Sequence, residues 1–168
     1  VAKQVGADYA KFQMYIPDEI TTKDCKKTEY QIRAVGKISQ YKMLSNYYMP
    51  FNKIRLLEKY CKKNKIKFLA SVFDEKSLEN LNKLKVDFIK LPSSEISNFF
   101  LLKALSKIKT PVVFSTGMAT SKEISHAYKV LKINKKKVIP MYCVSSYPAK
   151  IEEVNIKKLI ELKKKYNS

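Results

Sequence analysis

The chain has 168 residues, 45% of them hydrophobic and 29% charged. That is long enough for one domain with a real core, and the composition excludes a disordered chain. No apolar run approaches the ~20 residues that a membrane helix needs. The formal net charge is +19, from 34 Lys and Arg against 15 Asp and Glu. Only Arg33 and Arg55 are arginine, and the lysines are spread along helix-forming stretches and their ends. This reads as a lysine coat on solvent faces, because base and bidentate phosphate readout favours arginine. A binder of nucleic acid or another polyanion is the alternative reading of the charge. The cysteines are Cys25, Cys61 and Cys143, odd in number, widely spaced and without a CxxC. They suggest neither a disulfide framework nor a zinc site, and they fit a reducing, cytoplasmic setting.

Val1 to Gly6 is no signal peptide and lacks a start methionine. It reads as the last turn and glycine stop of a helix already under way, so an internal piece of a longer protein is expected. Asp8 to Gln13 is a short strand. Residues 14 to about 50 are polar and irregular, with Pro17, Gly36 and Pro50, and hold at most a short helix at 39–44. So long a loop in a compact domain is functional or mobile. Residues 52–64 carry Ile54, Leu56, Leu57, Tyr60 and Cys61 at helical spacing, and Ile66 to Ser71 is the next strand. Asp74 to Leu84 is a helix, with Asp74 as N-cap and Leu78, Leu81 and Leu84 on one face. Val86 to Leu91 is a strand, Asn98 to Lys107 a helix with Leu101, Leu102 and Leu105, and Pro111 to Ser115 a strand. Ser121 to Lys132 is a helix with Ser121 as N-cap and Glu123 in its first turn. Val138 to Cys143 is a strand, although Pro140 cannot donate to a ladder, and Asn155 to Tyr166 is the last helix.

Five apolar runs thus end in polar clusters, at Lys11–Gln13, Ser71–Asp74, Lys90–Glu95, Ser115–Met118 and Cys143–Pro148. A β/α enzyme is written this way, with its chemistry at the carboxyl ends of parallel strands. From Ser71 onward each interval between strand ends holds one helix, so neighbouring strands should be parallel with right-handed crossovers. No GxGxxG or GxxxxGK[ST] occurs, which disfavours a nucleotide-binding open sheet. The expected fold is α/β: a partial (βα)8 TIM barrel of about five parallel strands with intervening helices, one incomplete domain over residues 1–168. Five strands cannot close such a barrel, so edges and inner faces are exposed.

Lys11 and Lys90 each lie near a strand end. A lysine in a barrel mouth costs desolvation unless it meets an anion. With the hydroxyls of Ser71, Ser93 and Ser115 they make a site for a small anion carrying phosphate, carboxylate or both. Pairing of either lysine with a structural carboxylate is the bland reading. Glu95 is suited either to sugar hydroxyls and proton shuttling or to charge stabilisation at the helix start near Asn98. Gly117 permits a tight turn that turns backbone N–H groups toward a ligand, unless it is a plain turn glycine. Tyr147, before Pro148, lines a pocket or packs at the rim. Cys143 reads as structural, since no histidine lies nearby to activate it. The only histidine, His126, is mid-helix, and this chain alone builds no histidine-rich metal site.

The runs Gly6–Gln13 (GADYAKFQ), Lys90–Asn98 (KLPSSEISN), Ser115–Thr120 (STGMAT) and Tyr147-Pro148-Ala149 together resemble the sialic acid synthase family. That family comprises N-acetylneuraminate synthase and the related legionaminate and pseudaminate synthases. Thr22-Lys23-Asp24 with Glu29-Tyr30-Gln31 is compatible with bacterial members. The resemblance runs in order over essentially the whole chain. It implies a (βα)8 barrel, of which strands two to six would be present and the first and last two missing. It implies condensation of phosphoenolpyruvate with an N-acetylated hexose such as N-acetylmannosamine, giving a nine-carbon 2-keto sugar acid and phosphate. It implies a divalent metal, Mn²⁺ or Mg²⁺, in the full-length enzyme and none on this piece alone. It implies a homodimer when full length, and neither a membrane nor a nucleic-acid partner.

Carried over position by position, Lys11, Lys90, Ser93 and Ser115 match the family's phosphoenolpyruvate binders. Ser71 stands where the family usually has threonine, Ser145 where some members have another small polar residue, and Tyr147 matches a tyrosine. Glu95 resembles a glutamate near the substrates, so Glu95 and Lys90 are the catalytic candidates. Lys11, Ser71, Lys90, Ser93, Ser115, Ser145 and Tyr147 are the substrate-binding ones. Ser94 departs from the family's S-G-E. The first-strand glutamate, two metal-binding histidines and the antifreeze-like domain are absent, so this piece is not expected to complete catalysis. A different barrel acting on phosphoenolpyruvate or a phosphosugar is the competing enzyme reading. Acceptor choice is expected to involve residues 14–50, where Tyr30, Gln31 and Gln40 are acceptor-side candidates unless the segment is simply a mobile polar loop.

Overall fold

The structure, a computed structural model, describes residues 1–167, and residues 30, 34 and 35 by their backbone only. Its strands are β1 (Tyr9–Met14), β2 (Lys67–Val72), β3 (Ile89–Leu91), β4 (Val112–Ser115) and β5 (Val138–Met141). Four helices separate β1 from β2: α1 (Pro17–Ile20), α2 (Glu29–Val35), α3 (Gln40–Tyr47) and α4 (Phe51–Lys63). Single helices follow, α5 (Glu75–Asn82), α6 (Phe99–Ser106), α7 (Ser121–Leu131) and α8 (Ile156–Tyr166), with 3-10 turns at Ser93–Glu95 and Ile151–Glu153. The strands form one sheet in the order β1-β2-β3-β4-β5, every pair parallel. A doubly wound sheet reverses direction at a switch point. This one never does, so its winding is that of a β/α barrel, as expected.

The two faces of the sheet differ because side chains alternate along a strand. Phe12, Met14, Phe68, Ala70, Val72, Ile89, Leu91, Val112, Phe114 and Val138 belong to or pack against the hydrophobic core. The helices supply its other half at the spacing of 3.6 residues: Ile54 and Cys61 of α4, Leu78 and Leu81 of α5, Leu101, Leu102 and Leu105 of α6, and Ile124, Ala127 and Leu131 of α7. The intervening residues, Lys11, Gln13, Leu69, Ser71, Lys90, Val113, Ser115, Ile139 and Met141, therefore share the opposite, concave face. Pro140 is tolerated because β5 pairs only with β4 among the described residues.

Several local expectations are corrected. Residues 14–50 are not otherwise irregular: the short helix expected at 39–44 is α3, and α1 and α2 precede it. These short helices are held by contacts between segments far apart in sequence. Tyr41 Oη donates to Asp18 (2.9 Å), Tyr15 Oη to the carbonyl of Leu44 (3.0 Å) and Cys25 Sγ to Gln40 Oε1 (2.7 Å). The cap of α7 is Thr120, not Ser121: Thr120 Oγ1 accepts from the Glu123 N–H, and Glu123 accepts the Thr120 N–H in return. β3 begins at Ile89 rather than Val86, and β5 ends at Met141, which leaves Cys143 in a loop.

Asp74 caps α5 as expected, its carboxylate accepting the Ser77 N–H (2.7 Å) and hydroxyl (2.8 Å). It also accepts the N–H of Ile16 (2.9 Å), which fixes the entry to the α1–α3 insert against the carboxyl end of β2. Asp74→Ala loses a cap and orphans further donors, so it is expected to cost about 2–3 kcal/mol. Urea denaturation checks this; a loss under about 0.5 kcal/mol, the level of an ordinary surface change, would mean that the latch carries no weight. On the far side, buried Lys136 donates to the carbonyls of Leu105 and Ile108 (3.0 Å to the latter), closing the C-terminal end of α6.

Candidate active site

The carboxyl ends of β1–β4 bring the predicted anion binders onto one face. Gln13 of β1 stands in register with Ser71 of β2, and Ser71 with Lys90 of β3. Lys11 lies one pleat earlier on the same face, and Ser115 closes β4 on it. Lys90 is only 8% exposed and Ser71 3%, whereas Lys11 is open to solvent. The Lys90 ammonium donates to the carbonyl of Leu91 (2.9 Å), and no carboxylate pairs with it among the described residues. Its pKa is lowered to about 8, chiefly by burial and then by the neighbouring positive charge of Lys11, with Cys143 acting the other way. A buried cation next to a second cation is a place made for an anion.

The loops beyond the strands complete the rim. The 3-10 turn after β3 carries Ser93, whose Oγ lies 3.5 Å from Ser145 Oγ in the loop after β5. Glu95 is half-buried, one carboxylate oxygen accepting from the Asn98 amide (2.9 Å) while Asn98 caps α6. Its other oxygen has no hydrogen-bond partner among the described residues. Tyr147 is 69% exposed, a rim position rather than a pocket wall. His126 is exposed on α7, away from the strand ends. Among the described residues no three His, Cys, Asp or Glu side chains form a group able to hold a metal ion. The residues present therefore do not fit a metal by themselves.

Three candidates behave otherwise than expected. Gly117 does not aim its N–H at a ligand: that N–H donates to Cys143 Sγ (3.2 Å), and its φ is not left-handed. Gln31 accepts the Thr28 N–H (3.1 Å) at the start of α2, and Gln40 is engaged by Cys25, so both serve the insert's own structure. The side chain of Tyr30 lies outside the described residues. Conversely, Gln13 was not among the predicted site residues, yet it shares the Ser71–Lys90 row. Its two-residue spacing from Lys11 was the signal. A cavity of ≈ 360 Å³ between α7, α8 and the loop after β5 includes Cys143 and Ser145 but neither Lys11 nor Lys90. The lysines line the open concave face instead.

The model of the NeuB family matches residues 1–168. The chain belongs to the NeuB family. Among the relatives of this NeuB-family chain, the N,N'-diacetyllegionaminic acid synthase of Campylobacter jejuni subsp. jejuni serotype O:2 is 34% identical over 167 residues, covering 97% of this chain and 50% of that protein. The N-acetylneuraminate-9-phosphate synthase of Drosophila melanogaster is 32% identical, covering 98% of this chain and 45% of that one. The crystal structure of N-acetylneuraminic acid synthetase from Leptospira borgpetersenii serovar Hardjo-bovis, in complex with citrate, is similar with a TM-score of 0.82 and 28% identity over 98% of this chain and 53% of its own. The NeuB-family chain thus spans about half the length of the curated relatives it matches. No helix among the described residues is long and apolar enough to cross a membrane.

Proposed function

We propose that this chain forms the phosphoenolpyruvate side of a sugar-acid synthase, which joins phosphoenolpyruvate to an N-acetylated hexose and releases phosphate. The observation that carries this reading is the polar row of the concave face: buried, carboxylate-free Lys90 in register with Ser71, with Lys11 beside it. Lys90 and Lys11 supply charge to a phosphate and a carboxylate held in one small molecule. Ser71, Ser93, Ser115 and Ser145 supply directional donors. Tyr147 stands at the rim, where an acceptor sugar enters.

Glu95 is the proton-handling candidate. Asn98 orients it, and its second oxygen remains for a sugar hydroxyl. Dependence on a divalent metal belongs to the same proposal, with its ligands not grouped among these residues. So does a homodimer at full length. The three free cysteines support a reducing, cytoplasmic setting. The relatives' names, legionaminic acid and N-acetylneuraminate-9-phosphate synthase, support an amino-sugar acceptor without choosing one.

The test is phosphate release from phosphoenolpyruvate by the full-length protein, with N-acetylmannosamine, its 6-phosphate and the 6-deoxy diacetamido hexoses offered in turn. Release that requires one of these acceptors is the expected result. No release with any of them would sink the proposal.

A further inference from the structure

We propose that Cys143 is a positioning residue, clamping the turn at Gly117 to the loop after β5 so that Ser145 is seated against Ser93. The inference rests on the phosphoenolpyruvate reading above, for which Ser145 and Ser93 are binding groups. Three hydrogen bonds stitch the β4–α7 turn to the chain leaving β5. The Thr116 N–H and its Oγ1 both donate to the carbonyl of Met141 (3.0 Å each), and the Gly117 N–H donates to Cys143 Sγ (3.2 Å).

The approach is close enough that Gly117 has no room for a side chain. A Cβ there would overlap Ser145 Oγ outright and stand 2.9 Å from Cys143 Sγ and 3.3 Å from the Cys143 carbonyl. The glycine is needed for space, not for backbone freedom, since the left-handed turn falls on the next residue, Met118 (φ 61°). Ser145 Oγ occupies the volume that the missing side chain leaves and reaches Ser93 Oγ at 3.5 Å. Cys143 is half-buried. Its side chain thus joins the β4 turn to the β5 loop.

The experiment compares wild type, Cys143→Ala, Cys143→Ser and Gly117→Ala in the full-length protein. It reads the KM for phosphoenolpyruvate, kcat, the thermal midpoint and the exchange rate of the Gly117 amide hydrogen. Cys143→Ala is expected to raise the KM about fivefold, the worth of one hydrogen bond, with kcat and midpoint held. Cys143→Ser, which keeps an acceptor, should return the KM to within about twofold of wild type. The Gly117 amide should exchange faster in Cys143→Ala and not in Cys143→Ser. Gly117→Ala should raise the KM further; if it fails to fold, the cysteine variants carry the test. An unchanged KM in Cys143→Ala, or a fallen midpoint without a change in KM, overturns the proposal. If wild type releases no phosphate, the functional reading fails instead, and the exchange comparison alone still decides the clamp.

Discussion

Lys90→Met is expected to raise the KM for phosphoenolpyruvate at least about 100-fold, because it deletes a desolvated charge facing the anion. The same change should make the folded chain more stable at neutral pH. Lys90 holds its ammonium out of water with one carbonyl for a partner and another lysine nearby, and a methionine of similar length escapes that cost. A gain in stability with a loss of binding separates a functional group from a structural one. A Lys90→Met protein that binds phosphoenolpyruvate as well as wild type would remove the basis for the anion site.

The pH dependence carries opposite signs for binding and folding. The anion is attracted by protonated Lys90, whose pKa lies at about 8, so affinity should be full below that pH and fall as pH rises through it. In the unfolded chain the same lysine titrates near its ordinary 10.5. Between about 8 and 10.5 the unfolded state therefore holds more protons, and stability should rise with pH across that window. Lys136, pushed down to about 8 by burial, adds a contribution of the same sign. Urea titrations across the window should lose the Lys90 share in Lys90→Met and keep the Lys136 share.

Phe114→Ala is expected to cost about 3–5 kcal/mol, a large part of the stability of an ordinary domain. Phe114 is fully buried, paired across the sheet with Leu91 and Pro140, and roofed by the helices. Ser115→Ala, one residue further, faces the other way. It should change stability by less than about 1 kcal/mol and raise the KM for phosphoenolpyruvate about tenfold. Denaturation curves and KM values for the pair decide it. Equal destabilisation by both changes would mean that the concave face is core rather than site.

The alternation that makes this contrast was legible in the chain itself. Lys11, Ser71, Lys90 and Ser115 each follow apolar neighbours at the end of a short run, and one parallel sheet necessarily gathers them on one side. The helices with a clear apolar stripe, α4 to α7, were legible for the same reason. Of the α1–α3 insert only α3 was foreshadowed, by the short helix expected at 39–44; α1 and α2, of four and seven residues, carry too few turns to show a period. Their support comes from partners such as Tyr41 with Asp18, far apart in sequence. The need for glycine at Gly117 was equally hidden, since it is imposed by Ser145, distant along the chain and adjacent only after folding. Gln31 and Gln40 were ambiguous because a polar side chain in a loop serves a ligand and the loop's own structure equally well on paper.

The three-residue length of β3 has an evolutionary consequence. A single residue inserted just before Lys90 would turn Lys90 toward the helix layer and an apolar group toward the opposite face, and a deletion there would remove Lys90 itself. The α1–α3 insert, between β1 and β2, can by contrast grow or shrink without turning the sheet over.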